Sequence, residues 1–247
     1  MLKVLLYGAV SGIVGTMLGG VISAFLSKKD KVIGVLFAVA AGVMLAIVSF
    51  DLIPEAYAEG GVWTLAASVL AGVVLVVILD EITKAVTKKG GDIIEEGRKR
   101  RVEMTKTGIL MMLAIAVHNL PEGLVIGSSE LKSRGLLMAL LIGLHNIPEG
   151  IAVAAPLIAG GMKKWKAILI TASTGIPTLI GAVIGYYIGL ASATFVAVSL
   201  GIAAGAMLAV IFAEMLPESL KLNESKAPGF AAVISVVIGA VAIYLFR

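Results

Sequence analysis

The sequence predicts an all-α integral membrane protein of eight transmembrane helices, grouped three, two and three as inverted repeats, with both termini outside. Three observations predict it. The 247 residues are 59% hydrophobic and only 15% charged, with a mean hydropathy of +1.05, whereas soluble domains carry roughly 25% charge. Apolar runs long enough in helix to cross a bilayer core of about 30 Å recur along the whole chain. Finally, two sequence patterns each occur twice, on segments that would run in opposite directions.

The first apolar run, Leu5 to Leu26, is too long for a signal-peptide core and lacks a small-residue cleavage site, so it reads as the first span. The spans drawn from hydropathy are 4–26, 32–54, 62–82, 107–128, 135–158, 165–188, 193–216 and 229–246. Connections are short except for residues 83–106, which hold eight basic and four acidic residues with a glycine pair. This composition reads as a solvated, mobile cytoplasmic loop. The chain is thus one membrane domain, 1–247, with repeats of about 1–82 and 165–247 flanking central helices at about 107–158.

Orientation follows from the basic residues. With the N-terminus outside, 16 of the 20 Lys and Arg fall on the inner side, leaving Lys3, Lys132, Arg134 and Arg247 outside. Positive charge resists translocation, which fixes an N-out, C-out topology in a multi-pass protein of the cell membrane. The net charge of +4 is accounted for by this asymmetry, and no nucleic-acid partner is expected. The absence of cysteine removes disulfides and thiolate metal sites alike.

The first repeat reads HNLPEG at 118–123 and HNIPEG at 145–150. The second aligns AAGVMLAIVSFDLIPEA (40–56) without gaps to AAGAMLAVIFAEMLPES (203–219), pairing Met44 with Met207, Asp51 with Glu214 and Pro54 with Pro217. In the N-out topology each pair lies on oppositely directed spans, the signature of an inverted-repeat transporter with its site near the midplane. Gly8/Gly12, Gly15/Gly19 and Gly181/Gly185/Gly189 have the four-residue spacing of close helix packing in membranes.

The only two histidines, His118 and His145, both belong to the HNxPEG repeat, about halfway along their spans. An ionised Glu122 or Glu149 at that depth costs at least about 2.5 kcal/mol without a partner. Neither span offers a lysine or arginine, and a divalent cation would balance the charge. His118 and Glu122 are four residues apart and share a helix face, as do His145 and Glu149. Opposed antiparallel helices would join two imidazoles and two carboxylates, a donor set suited to Zn²⁺ and other first-row ions. Asn119 and Asn146 lie about 100° round their helices and offer amide oxygens beside that site. Pro121 and Pro148 cannot donate to the carbonyls of Val117 and Leu144, so each motif also loosens its helix.

HNLPEG and HNIPEG on the fourth and fifth spans, with LIPEA ending the second, resemble the ZIP (Zrt/Irt-like) metal transporters. HNIPEGIAVA (145–154) is similar to their ZupT/GufA-like prokaryotic branch. The resemblance implies uptake of Zn²⁺, and with it Fe²⁺, Mn²⁺, Co²⁺ or Cd²⁺, into the cytoplasm by a homodimer with a two-metal site. It implies a first metal position on His118, Glu122, His145 and Glu149. The second would use Asn119, Asn146 and the two glutamates. Relatives add a glutamate on the sixth span. Here the aligned residue is Thr178 and that span has no carboxylate. Met44 matches a position that supplies a thioether ligand in some relatives, although methionine at helical spacing also serves packing.

No prosthetic group is called for, because the ion is cargo. Asp51, Glu55 and Glu59 at the outer end of span 2, and Glu214 and Glu218 at the inner end of span 7, read either as cation-attracting mouths or as solvated helix ends. Asp80 and Glu81 read as interfacial. A membrane metalloenzyme and a proton or cation channel using the same His/Glu pairs are the competing readings. The first is opposed by the lack of HExxH.

Overall fold

The structure, a computed structural model, describes residues 1–26, 30–87, 96–130, 135–188 and 192–246, all helical apart from short connections. The helices are α1 (Leu2–Leu26), α2 (30–60), α3 (62–87), α4 (Glu96–Glu130), α5 (Gly135–Ala159), α6 (164–188), α7 (Ala193–Leu222) and α8 (Ala227–Phe246). Seven stretches among the described residues are long and apolar enough to cross a membrane.

One of these, Asp30–Ile82, runs to 53 residues and contains both the second and third spans drawn from the sequence. It breaks at Gly61, whose φ of 73° and ψ of 175° lie outside the helical region. Glycine alone reaches this backbone region without strain. The segment 55–61, expected as a connection, is otherwise helical. The loop expected over 83–106 is also shorter than drawn. Helix α3 runs to Thr87 and α4 starts at Glu96, because EGRKRRVEMTK is rich in residues that favour helix in water. Residues 88–95, the middle of that expected loop, lie outside the described residues.

Local irregularities repeat along the chain. Wide π turns occupy Val48–Leu52 in α2 and Ile211–Met215 in α7, at matching positions of the gapless 40–56/203–219 alignment. Each turn precedes a proline, Pro54 or Pro217, that cannot donate to the carbonyl four residues back. Packing follows the same relation: α3 lies along α7, and α8 along α2. A Cβ at Gly42 would sit 2.8 Å from Ser235 Cβ on α8, and one at Gly205 would sit 3.0 Å from Val69 Cα on α3.

The second bundle joins α1 to α5 and α4 to α6 through glycines. A Cβ at Gly150 would press the Thr16 carbonyl, and one at Gly123 the Thr178 carbonyl. Such small-residue contacts let main chains touch, which is how helices associate where lipid supplies no hydrophobic drive. Between the bundles lies a buried apolar core that includes Phe37, Met44, Met111, Ile115, Leu200 and Met207.

Candidate metal site

Glu122 on α4 and His145 and Glu149 on α5 converge. One ligand atom from each lies within 4.8 Å of the others, and the three residues are 1%, 2% and 0% exposed. His145 Nε2 is 2.9 Å from Glu122 Oε1 and 3.8 Å from Glu149 Oε1. The shorter contact is a hydrogen bond in which a protonated Nε2 donates to the carboxylate. Two ligands on one tetrahedral zinc, at about 2.1 Å each, stand about 3.4 Å apart. The observed separations bracket that value, so a zinc ion in place of the Nε2 proton needs only small side-chain shifts.

The donor set fits the ion for a second reason. Glu122 Oε2 is buried without any hydrogen-bond partner. A buried carboxylate oxygen without a partner is costly, and a divalent cation would satisfy it.

Of His118, Glu122, His145 and Glu149, which the sequence reading joins across two helices, the structure brings Glu122, His145 and Glu149 together. The side chain of His118 lies outside the described residues. Asn119 and Asn146 are fully buried, and each donates its Nδ2 to a main-chain carbonyl, of Thr174 at 2.7 Å and of Ser11 at 2.9 Å. Their Oδ1 atoms have no partner. Thr178 is buried with an unpartnered hydroxyl. Met44 belongs to the apolar core.

A cavity of about 210 Å³ leads to the triad, lined by Asp51 of α2, Glu122 of α4, His145 of α5 and largely apolar residues, including Ile238 and Ile243 of α8. Of the carboxylates Asp51, Glu55 and Glu59 of α2, Asp51 lines it, and Glu55 and Glu59 are not among its lining residues. The part played by α8 was not legible in the sequence, because its apolar residues carry no mark that separates a cavity wall from a lipid face.

A model of the family described as ZIP zinc transporter matches residues 95–247, more than half of the chain. The chain is 32% identical to the zinc transporter ZupT of Clostridium perfringens, over 99% of this chain and 95% of that protein. It is 28% identical to ZupT of Corynebacterium aurimucosum, over 94% and 92%, and 29% identical to ZupT of Chlorobium chlorochromatii, over 98% and 95%.

The chain belongs to the ZIP zinc transporter family.

As a ZIP protein it is a multi-pass protein of the cell membrane, in a family of transporters rather than enzymes, and its helices are those of a metal-transport protein. Both HNxPEG motifs fall inside the matched region.

Proposed function

We propose that this ZIP protein carries Zn²⁺, and also Fe²⁺, Mn²⁺, Co²⁺ and Cd²⁺, into the cytoplasm through the site on α4 and α5. The observation that carries the reading is the buried triad of Glu122, His145 and Glu149, whose ligand atoms converge to within 4.8 Å of one another. His118 is the fourth first-position ligand by its place in the motif. Asn119, Asn146 and the glutamates' second oxygens form the second position, with Thr178 where relatives bring a carboxylate.

In this reading the stretch Asp30–Ile82 crosses the membrane twice and turns at Gly61. The chain then has eight crossings grouped three, two and three, with both termini outside. Its 53 residues, at about 1.5 Å each, would be far too long for one crossing. The distribution of basic residues supports the orientation, and resemblance to the family supports a homodimer.

With α5 running from outside to inside, the cavity lies on the outer side of the triad. Its α2 residues Val43, Ile47, Asp51 and Leu52 align with Ala206, Val210, Glu214 and Met215 of α7. Of these, Ala206, Val210 and Met215 are buried in the core. Alternating access then consists of closing the α2/α8 side while the equivalent α7/α3 side opens. Two carboxylates with neutral imidazole make an uncharged assembly with M²⁺, which lowers the cost of holding the ion at depth.

The test is ⁶⁵Zn²⁺ uptake into proteoliposomes. Wild-type protein is expected to take up zinc, and Glu149→Gln is expected to abolish uptake while remaining folded. Equal uptake by the two would refute the site.

A further inference from the structure

The side-chain amides of Asn119 and Asn146 are held by something the HNxPEG motif does not contain. Asn146 donates to the Ser11 carbonyl and Asn119 to the Thr174 carbonyl. Both acceptors sit where a helix is interrupted. Ser11 lies within the wide turn Ala9–Val14 of α1, and Thr174 lies in the break between Ser173 and Ile176 of α6. An extra residue in a helical turn, or a break, frees a carbonyl from its usual donor four residues on. In α6 the cause of the break is local, since Pro177 has no N–H for the Ser173 carbonyl four residues back and its ring crowds that carbonyl, so the helix is interrupted over Thr174–Gly175.

The two interruptions are related in sequence and touch in space. Ser11-Gly12-Ile13 matches Thr174-Gly175-Ile176, and Thr16 matches Thr178, with one extra residue in α1 between them. A Cβ on Gly12 would stand 2.5 Å from the Gly175 carbonyl oxygen and 2.6 Å from Thr178 Cβ, and a Cβ on Gly175 would press the Gly12 carbonyl. The broken helices therefore cross at a glycine pair, and the residue before each glycine aims its carbonyl at one asparagine.

A carbonyl can only accept, so the amide atom facing it must be nitrogen, and the oxygen is turned to the opposite edge. Both amide oxygens are buried there without partners. Asn146 stands three residues from Glu149 and Asn119 three from Glu122, on neighbouring parts of the same helix faces.

We propose that Ser11–Gly12 and Thr174–Gly175 form a positioning clamp that presents the amide oxygens of Asn146 and Asn119 to the cation. The clamp rests on the proposed metal site and adds α1 and α6 to it as orienting elements that touch no ion. It acts as outer-shell partners of metal ligands do, fixing the orientation of a group that would otherwise be free to flip.

The experiment measures Zn²⁺ affinity of the purified full-length protein by isothermal titration, with thermal unfolding of the metal-free protein alongside. Asn146→Asp and Asn119→Asp keep an oxygen ligand and add negative charge, but lose the donor to the carbonyl. Were these side chains ligands alone, the aspartates would bind zinc equally or more tightly. The clamp requires the opposite, a loss of about 10–100-fold with metal-free unfolding little changed. Equal or tighter binding overturns it. If the aspartate variants do not accumulate, replacing Gly12 or Gly175 with glycolic acid turns the Ser11 or Thr174 carbonyl into a weaker ester acceptor. Affinity should then fall a few-fold, whereas the same replacement at Leu18 should leave it unchanged. Equal effects at all three positions overturn the clamp. Glu149→Gln in the same assay separates the two levels. If it abolishes binding, the metal site stands whatever the aspartates do, and absence of stoichiometric zinc on wild-type protein would remove both.

Discussion

His145 Nε2 lies 2.9 Å from Glu122 Oε1, a hydrogen bond between two helices whose residues are 23 apart in sequence. Neither group has a lysine or arginine within its own span to balance it, and both are buried. This contact joins the two copies of the motif.

Removing either acid should therefore remove the site without unfolding the protein. Glu122→Gln and Glu149→Gln keep the volume and lose the charge. Zinc affinity measured by titration should fall by more than the about 10–100-fold that loss of an outer-shell partner costs. Retained affinity in both variants would contradict the assignment.

Zinc binding should also stabilise the fold by mass action. At a free concentration of about 100 times Kd, the gain is about 2.7 kcal/mol. Thermal unfolding of wild-type protein should move upward with added Zn²⁺ and return on chelation, and Glu149→Gln should show no shift.

Asp51 lines the cavity that reaches Glu122 and His145. A carboxylate in an apolar-walled approach concentrates cations. Asp51→Asn should raise the KM for zinc uptake several-fold, with a weaker dependence on ionic strength, and leave the maximal rate near wild type.

Gly61 has a φ of 73°, and no atom lies within 4 Å of a Cβ built there. Any cost of Gly61→Ala is thus conformational, about 1–3 kcal/mol, and should appear as a lower unfolding midpoint. Since the chain has no cysteine, single cysteines also test the topology. An impermeant maleimide on intact cells should label Cys introduced at Gly61 and spare Cys introduced at Gly91.

Hydropathy made the helical stretches legible because each must bury its backbone polar groups in lipid internally. The convergence of Glu122, His145 and Glu149 was legible because the motif is duplicated and its four-residue spacing fixes a shared face. What escaped the sequence depends on contacts distant in the chain. Asn146 meets Ser11 across 135 residues and Asn119 meets Thr174 across 55. Both asparagines were expected only to offer oxygens, and the nitrogen partners were invisible because a main-chain carbonyl has no residue identity. The Ser11-Gly12/Thr174-Gly175 correspondence was hidden by the extra residue in α1. The helical course of 55–60 and of the charged residues after Glu96 was missed for another reason: hydropathy ends at the bilayer, while the helix does not.

Anomalous diffraction at the zinc edge from crystals of the zinc-loaded protein bears most directly on the central claim. The expected result is a zinc peak about 2.0–2.2 Å from His145 Nε2 and from one oxygen each of Glu122 and Glu149. Zinc bound elsewhere, with the His145–Glu122 hydrogen bond intact, would contradict it.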